Sequence, residues 1–202
     1  MNRSTKGAST RDAVLGHALA LASEVGLEGV TIGTLAERAR MSKSGLFAHF
    51  ESKEALQIAV LDEAVARFVE TVVAPALRQK RGEPRVRALL DGWLRWANAD
   101  FMPGGCVFVA SIADLDDRKG PVRDRLAETQ REWLDTLATA VRIAIDEGHF
   151  RADLDPRQLA HELLALAYGS HLIGRLLRDR GAEARLRNAI ERLVAAARAP
   201  HN

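Results

Sequence analysis

Between Thr31 and Leu56 the chain reads TIGTLAERARMSKSGLFAHFESKEAL, a stretch that places three helix starts in close succession. Only a run of short, tightly coupled helices satisfies that pattern. Thr31 precedes an amphipathic run with Ile32, Leu35, Ala36 and Ala39 on one side, so its hydroxyl can accept from the first orphan amides of a helix ending near Ala39. Arg40 and Met41 are all that separate this helix from Ser42, which opens a second short one. Ser52 opens a third, with Glu54 in its first turn, where the positive end of the helix dipole favours a carboxylate. Two helices joined by so tight a turn, the second starting Ser42-Lys43-Ser44-Gly45, match a helix-turn-helix, which presents the N-terminal residues of its second helix to a major groove.

Helical periodicity runs through the rest of the chain. Ser9 or Thr10 can cap a first helix, in which Val14, Ala18, Leu21, Ala22 and Val25 fall at helical spacing and Gly26 takes the C′ position. Residues 53 to about 73 predict a longer helix, apolar at Leu56, Val60, Leu61, Val65, Phe68 and Val72, with Pro75 marking its disruption. It would be the rod between the first part of the chain and the remainder. Lys80-Arg81-Gly82-Glu83-Pro84 reads as a linker, and a helix carrying Leu89, Leu90, Trp93, Leu94, Trp96 and Ala97 follows. After the break at Pro103-Gly104-Gly105 come a helix over 107–114, a second break at 116–121, and a long amphipathic helix over 122–147 ended by Gly148.

Asp155-Pro156 is an N-cap followed by an N1 proline. The helix it opens, to about residue 178, is apolar on two faces, Leu159, Leu163, Leu166, Ser170 and Ile173 on one and Leu164, Tyr168, His171 and Leu172 on the other. Such a helix needs partners on both sides. The final helix, 183–198, has a cleaner stripe through Leu186, Ala189, Ile190, Leu193 and Ala197. Pairing these last two helices with their copies in a second subunit would bury the surplus in a four-helix bundle. Helix formers dominate, and the one β-like run, 106–110, is short, so the predicted fold is all-α with about nine helices. We place an N-terminal three-helix helix-turn-helix domain at 9–69 and a C-terminal helical ligand-binding and dimerisation domain at 70–202.

Charge and cysteine usage narrow the function classes. A net charge of +2 is too mild to prove nucleic-acid binding, so location matters more than the total. Arg3, Lys6 and Arg11 form an acid-free N-terminal stretch that either reaches a phosphate backbone or stays a solvated terminus. The first residues lack an apolar leader run and no stretch approaches the ~18 apolar residues of a membrane span, so a cytoplasmic protein without a membrane partner is expected. One cysteine rules out an internal disulfide and leaves no cysteine cluster for zinc. Asp114, Asp116 and Asp117 lack the Gly and terminal Glu of a calcium loop, so no metal and no cofactor are expected. An enzyme is disfavoured as well. His161-Glu162 is followed by Ala165 where a zinc-protease helix needs its second His, and no phosphate-binding loop or nucleophile elbow is present.

The residues around the turn resemble the TetR-type (tetracycline-repressor-like) transcriptional regulators. The family's usual pattern has a Thr before helix 2, then Ala, Gly, a small apolar residue and Ser, then Leu-Tyr, a variable residue, His or Tyr, and Phe, with Ser-Lys-Glu opening helix 4. Here it stands as Thr31, Ala39-Arg40-Met41-Ser42, Leu46-Phe47-Ala48-His49-Phe50 and Ser52-Lys53-Glu54. The resemblance covers about residues 9–69 and is architectural beyond, although Pro103-Gly104-Gly105-Cys106 is similar to a segment in the regulatory domains of some members.

The resemblance implies a dimeric DNA-binding regulator, most often a repressor, released from a palindromic operator on double-stranded DNA by a small-molecule effector. It further implies that Thr31 gives its hydroxyl and helix-start amides to a phosphate, that Lys53 meets the same or the adjacent strand, and that His49 lies on the backbone. Lys43 and Ser44 are the candidates for base edges, Gly45 and Ala48 line the approach, and Ser42 serves chiefly as N-cap. For His49 and Lys53 the plain alternative is a solvated surface side chain. Three positions depart from the pattern. Phe47 lacks the phenolic hydroxyl of the usual Tyr. Arg40 replaces the turn glycine, which demands either a left-handed residue with a Cβ or a different turn, and adds a cation. Gly33 offers no side chain where other members read a base.

Trp93, Trp96, Phe101, Cys106, Phe108, Trp133, Tyr168 and His171 are the candidates for an effector site, and equally for an ordinary bundle core. Cys106 reads as a sensor thiol or as a small buried apolar residue. The rival function is an all-helical small-molecule-binding protein or enzyme without DNA-binding activity.

Overall fold

The computed structural model describes residues 4–200, with side chains from residue 10 on. It contains α1 (Ser4–Val25), α2 (Ile32–Ala39), α3 (Lys43–Phe47), α4 (Lys53–Phe68), α5 (Ala74–Leu77), α6 (Glu83–Ala97), α7 (Val107–Leu115), α8 (Pro121–Asp146), α9 (Pro156–Leu176) and α10 (Ala182–Ala197). A π-helical segment, Val69–Val73, runs α4 into α5, so the described residues hold nine helices and no strand. They form two compact units. One comprises the chain up to Val69 together with Trp96–Thr129, the other Glu70–Arg95 with the chain from Gln130 on.

In the first unit α1 is the central support. It starts upstream of Ser9 and Thr10, so neither residue is its cap. Once a helix is nucleated each further residue adds a hydrogen bond, and with no proline before Ser9 the helix continues through Gly7 despite its low propensity. Its buried stripe, Val14, Leu15, Ala18, Leu19, Leu21 and Ala22, is broader than expected and leaves Val25 outside it at 47% exposure. Gly26, at φ 69°, ends the helix as its spacing predicts. Leu27, Val30, Leu35, Leu46, Phe50, Leu56 and Leu61 close the core around α1. Gln57 is buried among them and donates from Nε2 to the Leu27 carbonyl at 2.6 Å, which satisfies a polar group the apolar pattern of α4 does not announce.

The segment before α7 docks on α1. The Gly104 backbone N–H donates to Ser23 Oγ at 3.0 Å, and Ala110 and Asp114 of α7 lie directly over Gly26. Glycine at 104 and 26 is what permits this approach, because a Cβ at either position would overlap the facing element.

Pro75 does not end the helix near residue 73 as expected. The π segment shifts the hydrogen-bond register just ahead of the proline, which then falls in the first turn of α5, where a missing N–H removes no bond.

In the second unit Asp155 caps α9 through the backbone N–H groups of Arg157 and Gln158, with Pro156 at the first helical position. α9 and α10 pack closely enough that a Cβ on Gly174 would meet the Ala182 side chain. Their shared face buries Leu159, Leu163, Ala167, Leu186, Ile190 and Val194. The end of α9 turns a second apolar surface outward, Leu172, Ile173, Leu176 and Leu177, with Leu176 82% exposed. Ion pairs tie α6 to α10. Arg87 reaches Glu191, Arg187 reaches Asp91, and Glu83 is clamped by Arg198 and Arg87, which hold its carboxyl down to about 2.

A candidate nucleic-acid interface

The helix starts at the turn are built by their own residues. Thr31 Oγ1 accepts from the Thr34 N–H at 3.1 Å while Thr34 Oγ1 accepts from the Thr31 N–H at 2.9 Å, a reciprocal capping box. Ser42 Oγ accepts from the Gly45 N–H at 3.1 Å, and Ser52 Oγ from the Ala55 N–H at 3.0 Å. Capping fixes where each helix begins, and Leu46 and Phe50, both buried, fix which face of α3 turns inward. Everything else on α3 is then left outside. Lys43, Ser44, Phe47 and Ala48 are exposed, Phe47 at 53%, while Gly45 and His49 are half-buried.

Of the expected base-reading and phosphate-binding residues, the structure brings the starts of α2 and α3 together. A Cβ on Gly33 would lie 3.6 Å from Thr31 Oγ1 and 3.9 Å from Lys43 Nζ, so these three share one surface. Lys53 is exposed at the start of α4 but not solitary, since its Nζ is 3.1 Å from Glu28 Oε2. Arg11 does not act as part of a loose arm. It belongs to α1, and its guanidinium lies 5.2 Å from the Phe50 ring centroid. Arg3 lies outside the described residues, and so does the Lys6 side chain.

Arg40 resolves the alternatives left by its replacement of glycine. It is the C-cap of α2 at φ 52° and ψ 41°, a left-handed residue whose N–H and that of Met41 close back on Glu37 and Ala36. That conformation is costly for a residue with a Cβ. Arg40→Gly is therefore expected to raise stability by about 0.5–1 kcal/mol in urea unfolding, the relief of strain exceeding the added freedom of the unfolded chain. A less stable variant would show that the left-handed turn carries no strain.

Sequence reasoning missed two polar contacts that set this surface. Arg38 makes a two-pronged pair with Glu24 at 2.8 and 2.9 Å, fastening α2 to the end of α1, and holds the Glu24 carboxyl below its usual range. Glu28 gathers Lys53 and Arg118. Residues far apart in sequence create both, so no local pattern signals them.

The aromatic candidates are distributed over both units. In the first unit Trp96 stacks on Phe108 with centroids 5.8 Å apart, meets Phe101 edge-on at 5.5 Å and Phe68 at 5.3 Å, and Arg67 lies over the Phe101 ring. Cys106 is fully buried there, and burial pushes its thiol up, which keeps it protonated and poorly nucleophilic. In the second unit Trp93 contacts Tyr168 and His171, with centroids 5.7 and 6.0 Å away, and Tyr168 Oη donates to Gln130 Oε1 at 2.6 Å. Trp133 is buried in that unit as well. Burial, and secondarily the Arg175 charge, lower the His171 imidazole to about 4, so it is neutral at physiological pH.

Comparison with known proteins agrees with this geometry. Residues 14–60 match the family described as bacterial regulatory proteins, tetR family, and residues 82–190 match the tetracyclin repressor-like C-terminal domain. The tetracycline repressor protein class C of Escherichia coli is 29% identical over 175 residues, 86% of this chain and 68% of its own. The HTH-type transcriptional repressor DhaR of Mycobacterium sp. (strain GP1) is 27% identical over 158 residues, 78% of each chain. Among solved structures, a TetR transcriptional regulator from Chloroflexus aurantiacus superposes with a TM-score of 0.83 at 28% identity, over 95% of both chains. With the helix-turn-helix at one end of the matched region and the helical C-terminal domain at the other, this chain belongs to the TetR family and is a DNA-binding transcriptional regulator.

Proposed function

We propose that this regulator acts as a cytoplasmic homodimer that occupies a palindromic operator as a repressor and leaves it when a small molecule binds. The observation that carries the reading is the outward face of α3, a capped five-residue helix anchored by one buried leucine with Lys43 and Ser44 exposed at its start. In this reading Lys43 and Ser44 touch base edges, and Gly45 and Ala48 let the helix sit deep. Thr31 offers its hydroxyl proton to a phosphate, since Thr34 can give its own to the Gly29 carbonyl at 3.1 Å. His49, Lys53 and Arg40 supply sequence-independent contacts to the backbone, and Ser42 holds the amides of the turn in place.

The apolar end of α9 is the proposed seam between subunits, because Leu172, Ile173, Leu176 and Leu177 otherwise face water. Two copies would have to hold their α3 helices about 34–36 Å apart to enter successive major grooves. An effector that favours any other separation weakens operator binding by its differential affinity for the two arrangements. The aromatic sets around Trp96 and around Trp93 are its candidate contacts. No catalytic role is proposed. Among the described residues no helix is long and apolar enough to cross a membrane.

Selection of bound sites from randomised DNA tests this directly, with a dyad of helical-turn spacing as the expected product. Lys43→Ala is expected to relax preference at one position of each half-site, at about 1–3 kcal/mol per base pair. His49→Ala should weaken matched and mismatched sites alike and flatten the salt dependence by about 0.9 per lost contact. A Lys43→Ala protein selecting the same sites as wild type would reject its assignment to a base.

A further inference from the structure

Glu28 stands in the turn between α1 and α2, and one of its oxygens serves two cations. Oε2 lies 3.1 Å from Lys53 Nζ and 3.2 Å from Arg118 Nη1. Lys53 is the first residue of α4, the helix that follows α3 in the chain, while Arg118 comes from the turn that follows α7. Arg118 is itself anchored, because its Nε donates to the Asp114 carbonyl at 2.8 Å and the Asp114 side chain packs over Gly26. The Glu28 carboxylate, 27% exposed, stays open to solvent on this side. A carboxylate at this place opposes DNA twice. It occupies the ammonium that would meet a phosphate, and it repels that phosphate.

Two cations on one oxygen compete. When Arg118 satisfies Glu28, the hold on Lys53 weakens and the charge presented to DNA is neutralised. When Arg118 withdraws, Glu28 closes on Lys53. Surface pairs of this kind are individually weak, which is what lets a small displacement decide between partners.

We propose that Glu28 is a regulating residue for DNA binding, a shared carboxylate through which the position of the α7–α8 turn sets whether Lys53 is available to the phosphate backbone. The proposal deepens the functional reading and rests on Lys53 being a backbone contact. It makes the turn at residues 116–120 a sensor of any rearrangement of α7 against α1, read out as affinity for a polyanion rather than as movement of the recognition helix.

The test uses the full chain and an operator selected by the wild-type protein, with binding followed by fluorescence anisotropy over a range of salt. Glu28→Gln is expected to tighten binding about three- to ten-fold and to steepen the salt dependence by about 0.9 per subunit, one phosphate contact each. Arg118→Ala is expected to weaken binding about three-fold in the wild-type background and not at all in Glu28→Gln, and Glu28→Gln should bring no gain in Lys53→Ala. Additive effects overturn the proposal, since cations acting only through the general field of the protein would not depend on Glu28. Should the glutamine variant fail to fold, Glu28→Ala repeats the cycle. The Glu28 carboxyl, held below its ordinary range first by its bond to Lys53, gives an independent reading by NMR. Its titration should rise in both Lys53→Ala and Arg118→Ala, and an unmoved titration overturns the sharing. A wild-type chain that binds no DNA at any salt overturns the underlying reading and this proposal with it. A binding wild type with additive variants removes only the role of Glu28.

Discussion

Leu46→Ala is expected to cost about 3 kcal/mol of stability and to take operator binding below detection. Leu46 is the only buried residue of α3 and is completely enclosed. Its N–H bonds the Ser42 carbonyl, and its own carbonyl accepts from His49 and Phe50, so the helix and its exit both hinge on its position. Truncation of an enclosed leucine removes transfer free energy and leaves a cavity, a sum of about 2–5 kcal/mol. A five-residue helix cannot hold itself, because nucleation is unfavourable and too few bonds follow to offset it. Loss of the anchor therefore disorders the surface that carries Lys43 and Ser44. Urea unfolding and anisotropy on a selected operator check both halves. Phe47→Ala, the next residue in sequence but exposed, serves as the control and should leave stability nearly unchanged. A Leu46→Ala protein with wild-type affinity would mean that α3 is positioned by something other than its apolar anchor.

Gly104→Ala is the second large effect, at about 2–4 kcal/mol. A Cβ there would overlap the Ser23 carbonyl and the Glu24 nitrogen, both backbone atoms of α1 that cannot rotate aside. The chain before α7 would have to lift, breaking the bond from the Gly104 N–H to Ser23 Oγ. Ser23→Ala separates the two contributions, since it removes the bond but keeps the space, and should cost about 1 kcal/mol. The urea midpoint should fall with an unchanged slope. A midpoint equal to wild type would show that the docking of this segment on α1 contributes nothing to the fold. The same contact gives a physical reason for a Gly-Gly-Cys segment at this point of the chain. Gly104 provides the approach, Gly105 takes a φ of 86°, and Cys106 opens α7 from a fully buried position.

Much of the DNA-reading surface was legible residue by residue. The caps at Thr31, Ser42, Ser52 and Asp155 and the left-handed stop at Gly26 depend on hydrogen bonds and dihedrals within a few positions, so composition at those positions is enough. Periodicity likewise identified Leu46 and Phe50 as the inward side of α3. Illegible were the features whose cause is a partner distant along the chain. Val25 continues the helical period of α1 yet points to solvent, and Pro75 reads as a stop yet sits inside a continuous helical run. Gln57 looks like a surface residue of α4 until the Leu27 carbonyl is placed against it. Neighbours on one helix, Trp93 and Trp96 belong to different compact units, a division the helical period does not announce.

By itself, then, the amino-acid order determined the succession of helices, the capped starts of α2, α3, α4 and α9, and the presence of a reading helix in the TetR manner, because capping, period and turn chemistry are short-range, while α1 and α6 begin earlier than their sequence signals suggest. Tertiary structure alone decided which charges meet. Lys53 is a lone cation in the sequence and half of a shared pair in the fold, since Coulomb attraction and burial act through space, and only the packing of α1, α4 and α7 brings Glu28 and Arg118 within reach of it.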